Sequence, residues 1–242
     1  MLTKAQNFTA GLRDGLPICF GYFAVSFAFG IQAAAIGLTV PEAAVISAAN
    51  LTSAGQFAAL GVIAAGASYL ELAFTQLVIN LRYFLMSCAL SQRLSPDMRF
   101  AHRFGIAYGM TDEIFAVSFS RPAPLSPYYS YGLIAAAVPG WVLGTVLGAV
   151  ANCILPALTS ALGIALYGMF IAIVVPPAKE NRAVAAVAVV SMAVSAVFSL
   201  APYLREISSG FRIILVTVLV AGAAAWLAPL EDKPAEEESH AA

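Results

Sequence analysis

Residues 43–67 read AAVISAANLTSAGQFAALGVIAAGA, an apolar run without one charged side chain. A helix crossing the hydrocarbon core needs about 20 such residues, so this run is long enough to enter a bilayer. Its middle is not apolar: Ser47, Asn50, Thr52, Ser53, Gly55 and Gln56 lie close together there. Non-helical backbone at membrane depth survives only where protein or a water-filled cavity surrounds it. The run therefore predicts one of two forms. Either the helix is broken or re-entrant at 52–56, or it is continuous, with Ser and Thr bonded back to their own carbonyls and small residues packed on neighbours.

Apolar runs extend outward on both sides, at 16–38, 70–90, 104–119, 129–151, 155–176, 183–200 and 213–228. The 104–119 run is short and contains adjacent acids. Over 242 residues, 61% are hydrophobic and 10% charged, against about 45–50% and 25% in a soluble domain. Period-2 alternation is absent and the runs exceed barrel-strand length, so helices remain. The expected fold is an all-α polytopic membrane protein with seven to eight helical segments, one or more broken or re-entrant. A single transmembrane domain, 15–229, is expected between a hydrophilic arm at 1–14 and an acidic, disordered tail at 230–242. No apolar run followed by a cleavage site opens the chain, so no signal peptide is expected and the first span serves as its own insertion signal. The second half is almost free of deep charge and reads as scaffold, with kinks at Pro139 and Pro176.

Several classes drop out. Cys19, Cys88 and Cys153 are far apart, and His102 and His240 are the only histidines. No His/Cys cluster can form, so no metal site or cofactor is expected. Neither GxGxxG nor a P-loop is present, which removes nucleotide-driven mechanisms. No span pairs Ser or Cys with His, so an enzyme is not expected, and neither is a nucleic-acid partner.

Basic residues favour the cytoplasmic side. With every segment a full crossing, they divide almost evenly between the faces. One early re-entrant segment improves the balance: Lys4, Arg13, Arg93, Arg99, Arg103, Arg205 and Arg212 fall inside, and Arg121, Lys179, Arg182 and Lys233 outside.

Charge at the bilayer centre costs at least ~2.5–3.5 kcal/mol on insertion scales, so deep polar residues mark candidate function. Three groups qualify. Asn50, Thr52, Ser53 and Gln56 form the first; Gln56 either contacts a small zwitterion or hydrogen-bonds across a helix pair. The second lies in 70–90, where Gln76, Asn80, Tyr83 and Ser87 make one helical stripe. Glu71 and Arg82 share another face but are too far apart along the helix, about 16 Å, to pair. Arg82 snorkels to an interface, meets an acid on another helix, or meets a substrate carboxylate. The third is Gly105–Ala116, with a small-xxx-small spacing at Gly105 and Gly109. Asp112 and Glu113 there neutralise Arg82, bind an ammonium or carry a proton; alternatively Thr111 or Asp112 caps a half-helix.

Gly15-Leu-Pro17 with Gly21 and Gly30, Ser53-Ala-Gly55-Gln56-Phe57, Asn80-Leu-Arg82-Tyr83 and Thr111-Asp112-Glu113-Ile-Phe-Ala116 together resemble the AzlC family of bacterial branched-chain amino-acid exporters. Many relatives carry His at the place of Tyr83. The resemblance implies secondary export of leucine, isoleucine, valine or analogues across the bacterial inner membrane, together with a small AzlD-type membrane subunit. Asn50, Thr52, Ser53, Gln56, Asn80 and Arg82 are then the candidate substrate-binding residues. Asp112, Glu113 and Glu71 are candidates for proton or charge coupling. A channel, an exporter of another small solute, or a non-transporting subunit are the alternatives.

Overall fold

The computed structural model describes residues 3–154, 171, 174, 175, 178, 179, 181–201, 203, 204 and 206–227. Among them the chain forms helices only: α1 (Lys4–Ala35), α2 (Val40–Ala49), α3 (Ser53–Ala64), α4 (Tyr69–Ser91), α5 (Phe100–Tyr108), α6 (Asp112–Phe119), α7 (Pro127–Ile154), α8 (Arg182–Leu200) and α9 (Ser209–Leu227). Of these, α1, α4, α7, α8 and α9 are long and apolar enough to cross a membrane. The chain is an all-α, multi-pass membrane protein. All of the 155–176 run but 171, 174 and 175, together with Pro176, Arg205, Lys233 and the 230–242 tail, lies outside the described residues.

Helix α1 starts at a capping box, Thr3 with Gln6, inside the stretch read as a hydrophilic arm. It runs parallel to α7 along nearly its whole length. Gly11 abuts Tyr129 and Leu133, Gly15 abuts Leu133 and Ala136, and Gly30 abuts Thr145 and Ala149. The facing stripe on α7 is Gly132, Ala136, Gly140, Gly144 and Gly148, a strict four-residue repeat. Helices in lipid associate by such close backbone approach, because no hydrophobic effect drives them together. A Cβ placed on Gly30 would lie 2.0 Å from the Thr145 carbonyl oxygen, and one on Gly148 2.0 Å from that of Phe27. Helix α7 continues unbroken through Pro139.

The 43–67 run is broken. Helix α2 ends at Ala49 and α3 starts after Thr52, whose hydroxyl accepts the Gly55 N–H at 3.0 Å. Ala43 of α2 and Leu60 of α3 both pack with Phe29, Ala33 and Ala149, whereas Leu51 between them reaches a second cluster containing Tyr22 and Trp141. The segment thus dips to mid-depth and returns to the face it left. Gly37 (φ +95°) and Gly66 (φ +63°) supply the left-handed backbone after α1 and α3.

Helix α4 crosses back, and the next segment repeats the pattern from the other face. At its start His102 lies 2.9 Å from the Tyr131 hydroxyl, and at its tip Gly109 meets Ile134. Beyond α6, Arg121 pairs with Asp14 near the start of α1. The 104–119 run is therefore not a short crossing but two half-helices, α5 and α6, entering and leaving on one side. The half-helix reading of Thr111 holds: it caps α6 by accepting the Ile114 N–H.

Units α1–α3 and α4–α6 thus have the same plan, a long helix and then a re-entrant hairpin, in opposite orientation. Their sequences echo it: Tyr22-Phe-Ala-Val-Ser26-Phe-Ala28 against Tyr83-Phe-Leu-Met-Ser87-Cys-Ala89, and capping Thr52 against capping Thr111. Inverted repeats of this kind place broken helices at the bilayer midplane.

Two re-entrant hairpins also correct the charge assignment. Lys4, Arg13, Arg93, Arg99, Arg103 and Arg121 share the N-terminal face, because Arg93 donates to the Arg121 carbonyl at 2.9 Å and Arg121 pairs with Asp14. The short link between α8 and α9 makes them antiparallel, which adds Arg182 to that face and puts Arg212 on the other. Arg121 and Arg182 had been placed opposite Lys4, and Arg212 beside it. The observed bias assigns the N-terminal face to the cytoplasm.

Replacing Gly148 with Val should destabilise the protein by about 1–3 kcal/mol through overpacking, seen as earlier thermal unfolding in detergent. Gly21→Ala, with open space around it, should leave the transition where it is. Equal behaviour of the two variants would refute the α1–α7 backbone contact.

Candidate functional site

The two hairpin tips meet in the middle of the fold, where the Tyr108 hydroxyl donates to the Ala48 carbonyl. Each break strips backbone groups of their helical partners, and in a dry environment these must be satisfied by side chains. Gln56 does this for the first break. Fully buried, it donates from Nε2 to the carbonyls of Asn50 and, at 3.3 Å, Ile46, and its Oε1 accepts the Trp141 indole N–H at 3.3 Å. Its amide is thus engaged with protein on both sides. Gln76 on α4 donates to the Gly55 carbonyl at 2.8 Å, while its Oε1 accepts from Asn80 at 3.2 Å and Asn50 at 3.4 Å. The Asn80 Oδ1 is buried with no partner among the described residues. Ser47 and Thr145, both fully buried, share a hydrogen bond of 2.6 Å that fastens α2 to α7.

Around the second break the residues are charged. Arg82 on α4 pairs with Asp112 at 3.0 Å, donates to the Tyr83 hydroxyl at 3.1 Å and lies over its ring. Of the roles open to Arg82, meeting an acid on another helix is the one the geometry provides. Glu113 points elsewhere. Its Oε2 accepts the Tyr22 hydroxyl at 2.6 Å, and that hydroxyl also sits 2.5 Å from Thr111 Oγ1. Tyr22 is held edge-on against Trp141, centroids 5.2 Å apart. A cavity of about 40 Å³ lies between the tips, lined by Tyr22, Val25, Leu51, Ser53, Tyr83, Thr111, Asp112, Glu113 and Trp141. That is room for a few waters. The first turns of α3 and α6 both border it, so two positive helix ends converge there.

Of the sequence-selected residues, Asn50, Thr52, Ser53, Gln56, Asn80, Arg82, Asp112 and Glu113 therefore come together. Glu71 does not. It sits at the outer end of α4, where its carboxylate accepts the Ser208 hydroxyl and, at 3.0 Å, the Gly210 N–H, so that it caps α9. Tyr22, Trp141 and Thr145 were missed. Tyr22 was legible as the counterpart of Tyr83 in the repeated Tyr-Phe-x-x-Ser-x-Ala. Trp141 was legible as a lone indole in a Gly/Ala stripe. Because of Trp141 and Thr145, α7 is part of the site and not scaffold alone.

A family model described as AzlC protein matches residues 17–155, from early α1 to the end of α7 and across both hairpins. The chain belongs to the AzlC family. Within curated proteins it is 30% identical to inner membrane protein YgaZ of Escherichia coli (strain K12), over 81% of this chain and 84% of that protein. It is 32% identical to an uncharacterized membrane protein of Archaeoglobus fulgidus, over 77% and 83% of the two. No solved structure matches. The AzlC match contains every residue lining the cavity and stops before α8 and α9.

In this AzlC chain, Gln56→Ala would take away the partner of the Asn50 carbonyl and of the Trp141 N–H in a buried site, while the Ile46 carbonyl keeps the Asn50 N–H at 2.9 Å. A loss of about 1–3 kcal/mol is expected, measured by thermal unfolding in detergent. An unchanged transition would mean that Gln56 does not hold the break.

Proposed function

We propose that the protein is a secondary transporter that exports branched-chain amino acids across the bacterial inner membrane, driven by the proton gradient and aided by a small AzlD-type membrane subunit. The observation that carries this reading is the meeting of two inverted, broken hairpins around a polar cavity at mid-depth, the arrangement in which other secondary transporters bind substrate. The family resemblance supports the cargo. The site also has the polarity a zwitterion needs. Helix α3 has no acid in its first turn, whereas α6 has Asp112 and Glu113 there. A substrate carboxylate fits the bare positive end of α3, near Ser53 and within range of Arg82. An ammonium fits the acids of α6. Val25, Leu51 and Trp141 supply an apolar wall for a branched side chain.

A cavity of about 40 Å³ is too small for an amino acid, so binding requires the tips to part, and parting toward one face at a time is alternating access. A role for a partner subunit is supported by exposure: the Arg82 and Asp112 side chains are 42% and 38% exposed at a depth where lipid is a poor neighbour for charge.

The test is efflux of preloaded radiolabelled leucine from cells expressing the chain alone and with its small partner. Faster efflux is expected, falling at least about tenfold in Arg82→Ala, as loss of a charge-assisted contact of about 1.5–3 kcal/mol implies. No acceleration in either setting, with the protein in the membrane, would remove branched-chain amino acids as cargo.

A further inference from the structure

The two acids of α6 are adjacent in sequence but differ in their partners. Asp112 is neutralised by Arg82 at 3.0 Å. Glu113 forms no ion pair among the described residues and takes only the Tyr22 hydroxyl, at 2.6 Å. It is exposed and lines the cavity. The groups facing it are Tyr22 from α1, Ser53 from α3, Arg82 and Tyr83 from α4, Thr111 and Asp112 from its own break, and Trp141 from α7. The single cation in that set is already held by Asp112.

We infer that Glu113 is the exchange residue of the site, its carboxylate neutralised in turn by a proton or by a substrate ammonium, never by both. The inference rests on the transporter reading and assigns its coupling to one residue. At the inner face, an arriving ammonium displaces the proton from Glu113 to water. At the outer face, the ammonium leaves and a proton from water takes its place. One proton enters for each ammonium released, and the negative charge of the carboxylate is compensated in both loaded states, by covalent protonation in one and by the ammonium in the other. A bare carboxylate is costly at membrane depth, so the empty, unprotonated site does not cycle, and leak is suppressed. Asp112 is held by Arg82 at 3.0 Å and is not the group that exchanges. Tyr22 is a positioning residue: its hydroxyl holds the Glu113 carboxylate at 2.6 Å.

The experiment uses purified full-length protein in lightly buffered detergent, with a pH dye and infrared difference spectra. Adding leucine to wild type should release protons with loss of a carboxylic-acid C=O band. Both signals should vanish in Glu113→Gln and return in Glu113→Asp. A band that persists in Glu113→Gln, or leucine bound by wild type without proton release, overturns the inference. If leucine has no effect on wild type, methylammonium separates the two readings. Proton displacement by methylammonium in wild type but not in Glu113→Gln upholds the exchange residue while the branched-chain cargo falls. Displacement by neither compound overturns the exchange residue.

Discussion

Backbone polar groups cannot be left unpaired inside a membrane, and this fold creates two places where they would be. At residues 50–52 and 109–111 the chain stops being helical at mid-depth. Each break is affordable only because neighbouring side chains complete it. Thr52 and Thr111 cap the following half-helices, Gln56 gathers two carbonyls from the first break, and Gln76 reaches Gly55 from α4. These same side chains bring α1, α4 and α7 to the tips. Satisfying the breaks therefore fixes where Arg82, Tyr22 and Trp141 sit, and the site follows from the repair of the backbone.

Much of this could be read from sequence where a residue type had one physical explanation. A polar patch inside an apolar run has few stable outcomes, so a break in it was predictable, although it was expected at 52–56 and lies at 50–52, with Ser53–Gln56 already the first turn of α3; Thr111 as a cap was legible likewise. The Arg82–Asp112 pair was foreseeable as one option because each charge needs a partner at that depth. What escaped was information held by weak or distributed signals. The glycine–alanine stripe of α7 looks like ordinary apolar helix until α1 is laid against it. The fourth run looked like a crossing because its length alone does not say that the chain turns back. That second reversal is what moves Arg121 to the N-terminal face, and a charge count with one reversal could not recover it. Glu71 was selected for being an acid in a span, but an acid is also a good helix cap, and composition does not separate the two.

The two halves share a backbone plan but not a charge plan. Thr52-Ser53-Ala54 leaves the positive end of α3 uncompensated, while Thr111-Asp112-Glu113 places acids in the first turn of α6. A symmetric pair of helix ends would favour two anions or none. Making one end acidic gives the two helix ends opposite polarity across the cavity. Arg82 then limits how acidic that end becomes, holding one of the two carboxylates and leaving the other to the Tyr22 hydroxyl.

Motion must respect the packing. The α1–α7 pair is in backbone contact at several levels, so sliding it would drive carbonyl oxygens into Cα atoms. The hairpins are different. Each is two short helices joined at a non-helical tip and tied to the rest by side-chain hydrogen bonds, which exchange partners at small cost. The ties are also unequal. The α2–α3 tip is held by the buried Ser47–Thr145 and Trp141–Gln56 bonds, whereas α6 is held by a half-exposed ion pair and the Tyr22 hydroxyl. The hairpin that enters from the N-terminal face is thus the one tied to the rest of the fold by fewer buried bonds.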